Sequence, residues 1–436
     1  MGTEQKEAAQ IENRETASPL VSIVVLAYNH LDYTRQCIES IYRYTSHIDF
    51  ELITINNGSS DGTEEYFNSL PNQKKISFPE NIGVCKAFNC GFKIAEGKYT
   101  MNVSNDVVVT AHWLDNLLNC FESDPKIGMV VPVCDASCNY QQINLPCQSM
   151  EEMQRIAERY NVSNPDLWEE RLKMTVYAAI YRTEILKVLG GFDEDFNPGC
   201  YDDDAICFSI RRMGYKTILA KDTFVHHFGA RTFNAEYEKD KNLAIRNKGL
   251  FFVKFGVDAY IAGLIDFNVL NVLDYGSKNE VSILGIGGSF GTTVLQLKNV
   301  CKSHGCKDVE LYYLSERSNN MTELKTICRE CVQGPAEDVQ LYFGGRQYDY
   351  IVLESESAAL HNREGLFTIL YGLLKPGGQL VCTAAGPEVL YETMGIFYRL
   401  GADFHKQIND YYYLSFVRSE QPSGGETLLQ PADGLF

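Results

Sequence analysis

Apolar strand-like segments alternate with amphipathic helices from Pro19 to about Phe255. Four runs rich in β-branched and aromatic residues predict buried strands. They are VSIVVLAY (21–28), FELITIN (50–56), KYTMNVS (98–104) and MVVPV (129–133). Between the first two, YTRQCIESIYRYT places Cys37, Ile41 and Tyr44 on one face of a helix. This alternation predicts an α/β domain with an open sheet.

A second α/β pattern follows a break at Gly276-Ser277-Lys278. Its predicted strands are VSILGI, VELYYLS, DYIVLE and GQLVCTA, with helices between them. A chain of 436 residues also exceeds what one ordinary core organises. We therefore expect a disordered N-terminus (1–18), an α/β domain (19–256), a helical linker (257–276), a second α/β domain (277–420) and a tail (421–436).

Charge and composition exclude several classes of partner. The formal net charge of −18 argues against nucleic acid or an anionic membrane surface as the main partner. No run of about 20 apolar residues is present, and the polar start has no signal-peptide core, so we expect no membrane span. The 14 cysteines show no disulfide framework, which suits a reducing cytoplasm. The single CxxC, Cys328 to Cys331, favours reduced thiols over a zinc site.

Small or polar residues stand where the predicted strands of the first domain end. In an open α/β sheet the binding crevice lies at the carboxyl ends of the strands. The candidates are Ala27, Tyr28, Asn29, Asn56, Asn57, Asn81, Gly83, Lys86, Asn105 and Asp106. The triplet Ser104-Asn105-Asp106 interrupts two β-branched runs, and taken alone it is most often a surface turn.

In order and spacing, these segments resemble family 2 glycosyltransferases of the GT-A (nucleotide-diphospho-sugar transferase) fold over roughly residues 20–255. The resemblance implies that the ten strand-end residues bind a nucleotide-sugar donor. It also implies that Asp106 binds Mn²⁺ or Mg²⁺ against the donor diphosphate, with Asn105 at the sugar or ribose. Asn56 replaces the family's base-binding aspartate, so a UDP-sugar is favoured while the base stays open.

A later stretch, GGFDEDFNPGCYDDDAICFSIRRMGY, resembles the family segment in which a Glu-Asp pair opens a helix. An inverting transfer needs a carboxylate that accepts the proton of the acceptor hydroxyl. The resemblance implies Asp203 as this base, with Asp202 as the second choice. Helix capping is the alternative role of these carboxylates. A histidine pair follows, and the resemblance implies His226 as a metal ligand; a structural histidine is the alternative.

In the second domain, ILGIGGSFGTT and LLKPGGQL resemble class I S-adenosylmethionine methyltransferases over about residues 277–418. The resemblance implies a Rossmann-like fold and a cofactor site at Gly287, Ser289, Gly291 and Glu316. Two features weaken such a site: Gly285 replaces the usual acidic residue, and Phe290 crowds the glycine turn. We therefore favour a degenerate domain used for packing, dimerisation or acceptor docking over one that binds S-adenosylmethionine.

The sequence thus predicts a metal-dependent, inverting, hexosyl-type glycosyltransferase with a nucleotide-sugar donor. The acceptor hydroxyl belongs either to a protein Ser/Thr, such as flagellin in a bacterium, or to a surface-glycan precursor. Two alternatives stay open: a bifunctional enzyme that also methylates with S-adenosylmethionine, and an inactive binding or scaffold protein. Homo-oligomerisation is also open.

Overall fold

The computed structural model describes residues 18–229, 241–354, 362–408 and 412–419. The chain divides into two compact units, Met1–Gly263 and Leu264–Phe436. Residues 1–17 of the expected disordered N-terminus (1–18) and the whole expected tail (421–436) lie outside the described residues.

The first unit is built on a mixed sheet. Its strands are β1 (Val21–Ala27), β2 (Phe50–Asn57), β3 (Gln73–Phe78), β4 (Tyr99–Ser104), β5 (Val107–Val108), β6 (Ile127–Cys134), β7 (Trp168–Glu170), β8 (Ala178–Arg182) and β9 (Lys216–His227). Their spatial order is β3-β2-β1-β4-β8-β6-β9-β5, and β7 also pairs with β9. Because β1 is parallel to both β2 and β4, the carboxyl ends of these three strands meet at one edge.

Helices connect these strands. They are α1 (Leu31–Thr45), α2 (Thr63–Ser69), α3 (Val84–Ile94), α4 (Trp113–Ser123), α5 (Met150–Tyr160), α6 (Thr183–Leu189), α7 (Asp202–Arg212), α8 (Lys241–Phe255) and α9 (Ala259–Ala262). The amphipathic pattern of α1 has its expected effect, since Cys37 and Ile41 are fully buried. Tyr44, on the same stripe, is half-buried.

The four strands expected from the sequence are β1, β2, β4 and β6, each within two residues of its expected bounds. The pattern missed β3 and β8. From Lys74 to Phe78 in β3, half-buried side chains alternate with exposed ones, which is typical of a strand at the edge of a sheet. β8 has only five residues.

The stretch 164–172, for which the sequence predicts a short helix, is a 3-10 turn that leads into β7. Pairing with β9 overrides the helical pattern because it buries Trp168, whose Nε1 donates to Asp222 Oδ2 at 2.7 Å. Next to it, Glu170 Oε1 lies 2.8 Å from Arg211 Nη2 of α7, and the two side chains are only 7% and 2% exposed. This buried ion pair fixes the end of α7 against β7.

The second unit is a separate α/β sheet. Its strands are β10 (Glu280–Gly287), β11 (Asp308–Ser315), β12 (Glu330–Gln333), β13 (Tyr348–Leu353), β14 (Leu374–Ala384), β15 (Ala402–Ile408) and β16 (Tyr412–Arg418). The helices are α10 (Phe267–Asn271), α11 (Thr292–Ser303), α12 (Met321–Ile327), α13 (Val339–Phe343), α14 (Arg363–Leu373) and α15 (Pro387–Arg399). The order is β12-β11-β10-β13-β14-β16-β15, parallel up to β14, with β16 antiparallel to both of its neighbours. The expected strands are β10, β11, β13 and β14.

The segment 257–276, expected to be a linker, is divided between the units: α9 belongs to the first and α10 to the second. The division therefore lies ahead of the Gly276-Ser277-Lys278 break. Across the part of the chain that the structure describes, no helix has the length and apolar character needed to cross a membrane.

The buried ion pair under α7 gives a stability prediction. Arg211→Met should lower the free energy of unfolding of the first unit by about 3–5 kcal/mol, because Glu170 stays buried without its partner. Lys98→Met is the matched control, since the Lys98–Glu122 pair is 55% and 54% exposed. Its loss should not exceed about 1 kcal/mol. Denaturant unfolding followed by circular dichroism measures both changes, and equal losses would contradict the argument from burial.

Candidate functional site

A cavity of about 410 Å³ lies at the carboxyl ends of β1, β2 and β4. Of the residues that the sequence predicts for the donor and catalytic sites, the following line it: Tyr28, Asn57, Asn81, Asn105, Asp106, Asp202 and Asp203. The following do not: Ala27, Asn29, Asn56, Gly83, Lys86 and His226. The fold thus brings the strand-end carboxylate and the carboxylates that begin α7 into one cavity, although about 100 residues separate them along the chain.

The Ser104-Asn105-Asp106 triplet forms a turn between β4 and β5, but this turn is buried. Asn105 is 5% exposed and Asp106 is 4% exposed. The Asn105 amide donates to the backbone oxygen of Asn29 at 3.3 Å and to Thr34 Oγ1 at 2.9 Å. These bonds tie the end of β4 to the end of β1, so Asp106 is held at the cavity wall and the surface-turn alternative is wrong.

The imidazole beside Asp106 is that of His227, whereas the sequence assigns the metal to His226. His227 Nε2 lies 3.4 Å from Asp106 Oδ1, and its Nδ1 lies 2.7 Å from the Ala136 oxygen. His226 Nδ1 instead lies 2.5 Å from Asp135 Oδ2. The reason is that successive side chains of a strand point to opposite faces, and His227 stands opposite Val107 in the β5–β9 pairing.

Asp106 and His227 form a donor set that fits a divalent cation. Their 3.4 Å separation is what two ligands each about 2.1 Å from one metal would have. Burial lowers the pKa of His227, but the Asp106 carboxylate and the Cys134 thiol raise it to about 10 overall. The Asp106 carboxylate thus favours a positive charge at this place. Within the described ranges no group of three or more His, Cys, Asp or Glu could hold a metal, so further ligands would come from donor phosphates and water.

The three carboxylates that begin α7 have different partners. Asp204 Oδ1 lies 3.2 Å from Lys173 Nζ. Asp203 accepts a hydrogen bond from the Val176 N–H. Asp202 accepts hydrogen bonds from its own N–H group and from that of Asp203, in the first turn of α7. Burial and the neighbouring carboxylates raise the pKa of Asp203 well above its usual range, and burial raises that of Asp202 to about 6. A carboxyl group with a raised pKa is suited to exchange protons near neutral pH.

Asn56 is held within the protein and does not line the cavity. Its Nδ2 donates to Glu64 Oε2 at 2.8 Å, and its Oδ1 accepts from the Ser59 N–H at 2.9 Å. An aspartate at this position would face the Glu64 carboxylate, whereas the Asn56 amide donates to it. Asn57 is the neighbouring amide that reaches the cavity, with its Nδ2 bonded to Asn81 Oδ1 at 2.9 Å.

The other donor-site candidates lie near the cavity or at the surface. Ala27 is fully buried in β1, and the Asn29 side chain accepts from the Ser60 N–H at 2.9 Å. Gly83 has φ +89°, and a Cβ there would lie 2.3 Å from Asn197 Oδ1, so only glycine fits. Lys86 is exposed.

In the second unit, the glycine loop is bonded to the unit's own side chains. The Ser289 hydroxyl donates to the Glu354 carboxylate and accepts from the Gly291 N–H at 3.0 Å. Asn320 Nδ2 donates to the carbonyl oxygens of Gly288 and Ser289, both at 2.7 Å. These bonds engage the Ser289 hydroxyl and the Gly291 N–H, which belong to the predicted cofactor site, and Glu316 is exposed. The arrangement gives no support to S-adenosylmethionine binding.

The sequence interpretation missed several residues that line the cavity. The most important are His227 and Lys173; others are Asn102, Cys138, Asn139, Thr175, Tyr177, Cys200 and Tyr201. Strand alternation could have separated His227 from His226, given the register of β9. No local signal indicated Lys173, because it lies in an irregular segment between β7 and β8.

Residues 22–187 match the model of Glycosyl transferase family 2. This part of the first unit is therefore similar to family 2 glycosyltransferases. An uncharacterized glycosyltransferase of Rickettsia prowazekii is 32% identical over 133 residues, which are 30% of this chain and 40% of that protein. An uncharacterized glycosyltransferase of Haemophilus influenzae is 25% identical over 287 residues, covering 61% and 84%. These matches support a transferase enzyme.

Among solved structures, this chain is similar to a mannosyltransferase from Pyrobaculum calidifontis in complex with GDP-Man and Mn²⁺. That likeness has 22% identity and a TM-score of 0.36, and it covers 50% of this chain and 60% of that one. The chain spans 40% of the length of the relative from Rickettsia prowazekii and 41% of that from Rickettsia typhi. The family match ends before α7 and His227, which the structure places in the same unit.

The two adjacent histidines give a matched test of the cation site. His227→Ala should weaken Mn²⁺ binding in the presence of UDP by about 10- to 100-fold, the loss typical of disturbing a metal site. His226→Ala should leave that affinity within a few-fold of the unmodified protein, because its ring faces Asp135. Titration calorimetry measures both affinities, and thermal melting checks folding. A larger loss in His226→Ala would contradict the assignment.

Proposed function

We propose that this chain is a metal-dependent, inverting glycosyltransferase that moves a sugar from a nucleotide diphosphate to an acceptor hydroxyl. The observation that carries the proposal is one cavity lined both by the Asp106–His227 pair and by the carboxylates of α7. A cation-binding pair and a separate proton acceptor are the two devices that an inverting transfer requires.

Asp203 is the base in this proposal. Asp204 is held by Lys173, Asp202 is bonded to the N–H groups of the helix start, and both are more buried than Asp203, which supports Asp203 as the base. The Val176 N–H orients its carboxylate. Asp203 accepts the hydroxyl proton while the acceptor oxygen bonds to the anomeric carbon and the bond to the diphosphate breaks.

Asp106 and His227 would hold a Mn²⁺ or Mg²⁺ ion, which would neutralise charge on the leaving diphosphate. Asn105 fixes this wall by bonding to the backbone of Asn29. Tyr28 and Asn57 line the cavity at the ends of β1 and β2, where the nucleoside would lie. The Asn57 amide donates to Asn81 and accepts from the Ile82 N–H, which leaves one N–H and one lone pair of the amide for a base, and we propose UDP as the nucleotide.

The acceptor in this proposal is a protein Ser/Thr hydroxyl, as in flagellin modification, or a surface-glycan precursor. All 14 cysteines are free thiols, which supports action in a reducing compartment such as the cytoplasm. No observation favours the bifunctional alternative, since the glycine loop of the second unit is engaged by Asn320 and Glu354.

A donor panel tests the proposal. The full chain is incubated with Mn²⁺ and UDP-, GDP- or dTDP-sugars, and release of the nucleoside diphosphate is measured with and without cell extract as the source of acceptor. We expect turnover with a UDP-sugar that Asp106→Ala abolishes while its melting temperature stays near that of the unmodified chain. No turnover with any donor would favour a binding or scaffold protein. Normal turnover in Asp106→Ala would refute the cation site.

A second variant separates binding from chemistry. Asp203→Asn should keep donor affinity and lose about 10²- to 10⁴-fold in the rate of sugar transfer, the usual contribution of a general base. Calorimetry with UDP and Mn²⁺ measures binding, and single-turnover kinetics measure transfer. Unimpaired transfer in Asp203→Asn, together with a loss in Asp202→Asn, would move the base to Asp202.

A further inference from the structure

One ammonium group faces the three carboxylates of α7. Lys173 Nζ lies 3.2 Å from Asp204 Oδ1, and both side chains are 12% exposed. Among the described residues that line the cavity, Lys173 is the only lysine or arginine. In the proposed donor cavity, Lys173 is thus bonded to Asp204, the carboxylate next to the proposed base.

The Lys173 side chain packs against the last residues of the first unit. Its Nζ donates to the backbone oxygen of Ala259 in α9 at 3.3 Å. At Gly263, a Cβ would lie 2.4 Å from Lys173 Cδ, so the absence of a side chain makes room for the lysine stem. Residues that the sequence assigns to a linker therefore hold Lys173.

The segment that carries Lys173 also contacts α7 elsewhere. The Val176 N–H donates to the Asp203 carboxylate, and Cys207 Sγ lies 3.6 Å from the Met174 oxygen. At the far end of the helix, Arg211 is bonded to Glu170. Residues 170–176 thus hold both ends of α7.

Among the described residues whose charges act on Asp203, Lys173 is the one cation. The titratable groups that act on or respond to Asp203 are Asp202, Asp204, Cys200 and Cys207 near it, Lys173, Cys85 of α3 and Tyr181 of β8. Burial raises the pKa values of Cys85, Cys207 and Tyr181, so these groups stay neutral. Burial and two carboxylates raise the pKa of Asp203, which Lys173 opposes.

We propose that Lys173 is a positioning residue for sugar transfer: by binding Asp204 it compensates the acidic start of α7 and lets Asp203 face the cavity as a carboxylate. The role as base rests on the proposed function; the effect of Lys173 on Asp203 does not. A direct bond from Lys173 to the donor diphosphate is the competing role, and the 3.2 Å contact with Asp204 argues against it.

Infrared titration of the full chain tests the proposal without any donor. The carboxyl band of protonated Asp203 is identified as the band that Asp203→Asn removes, and its intensity is followed against pH. Lys173→Met should move the midpoint to higher pH by about one unit or more, because an opposite charge is lost. Asp204→Asn should move it to lower pH, and the double variant should return close to the unmodified chain. Lys173→Arg should keep the midpoint.

Two further readouts separate the alternatives. The acidic limb of the rate of UDP-glucose hydrolysis with Mn²⁺ should move in parallel with the infrared midpoint, while UDP affinity stays within a few-fold. An unchanged infrared midpoint in Lys173→Met would overturn the proposal. If the same variant also lost tenfold in UDP affinity, Lys173 would be a ligand of the donor phosphates instead. If Lys173→Met does not fold, the midpoints of Asp204→Asn and Lys173→Arg decide. Transfer retained in Asp203→Asn would instead refute the proposed base.

Discussion

The contact between Asp106 and His227 is the interaction on which the site depends. It joins the turn after β4 to the end of β9, two elements that lie about 120 residues apart in the chain. The Ala136 oxygen fixes the His227 ring, which cannot turn away without breaking that bond, and the Asn105 amide ties the turn that carries Asp106 to Thr34. In the proposed function, a carboxylate and an imidazole placed in this way would hold the cation.

The second constraint is the segment between β7 and β8, which holds the acidic start of α7. Three adjacent buried carboxylates repel one another and resist desolvation, so a helix that begins with them needs compensation. Val176 supplies an N–H group, Lys173 supplies a charge, and the Glu170–Arg211 pair anchors the other end. The cavity of the first unit is therefore lined by two groups of charged side chains: the Asp106–His227 pair, and the carboxylates of α7 with Lys173.

Sequence patterns predicted what depends on local periodicity. The strands β1, β2, β4 and β6, and the grouping of polar residues at their carboxyl ends, follow from alternation and from the geometry of parallel sheets. The sequence patterns did not predict the features that depend on strand register or on contacts between residues distant in the chain. His227 rather than His226 faces Asp106 because of strand register, and Asn56 bonds to Glu64 of α2. In the second unit the glycine motif was visible, but not the Asn320 and Glu354 side chains that engage its loop.

The account is tested most directly by pulsed electron paramagnetic resonance of Mn²⁺ bound to the full chain with UDP. If Asp106 and His227 hold the ion against the diphosphate, the spectra will contain couplings to phosphorus and to an imidazole nitrogen, and the nitrogen coupling will disappear in His227→Ala. Phosphorus coupling without nitrogen in the unmodified chain, or a nitrogen coupling that persists in His227→Ala, would contradict it.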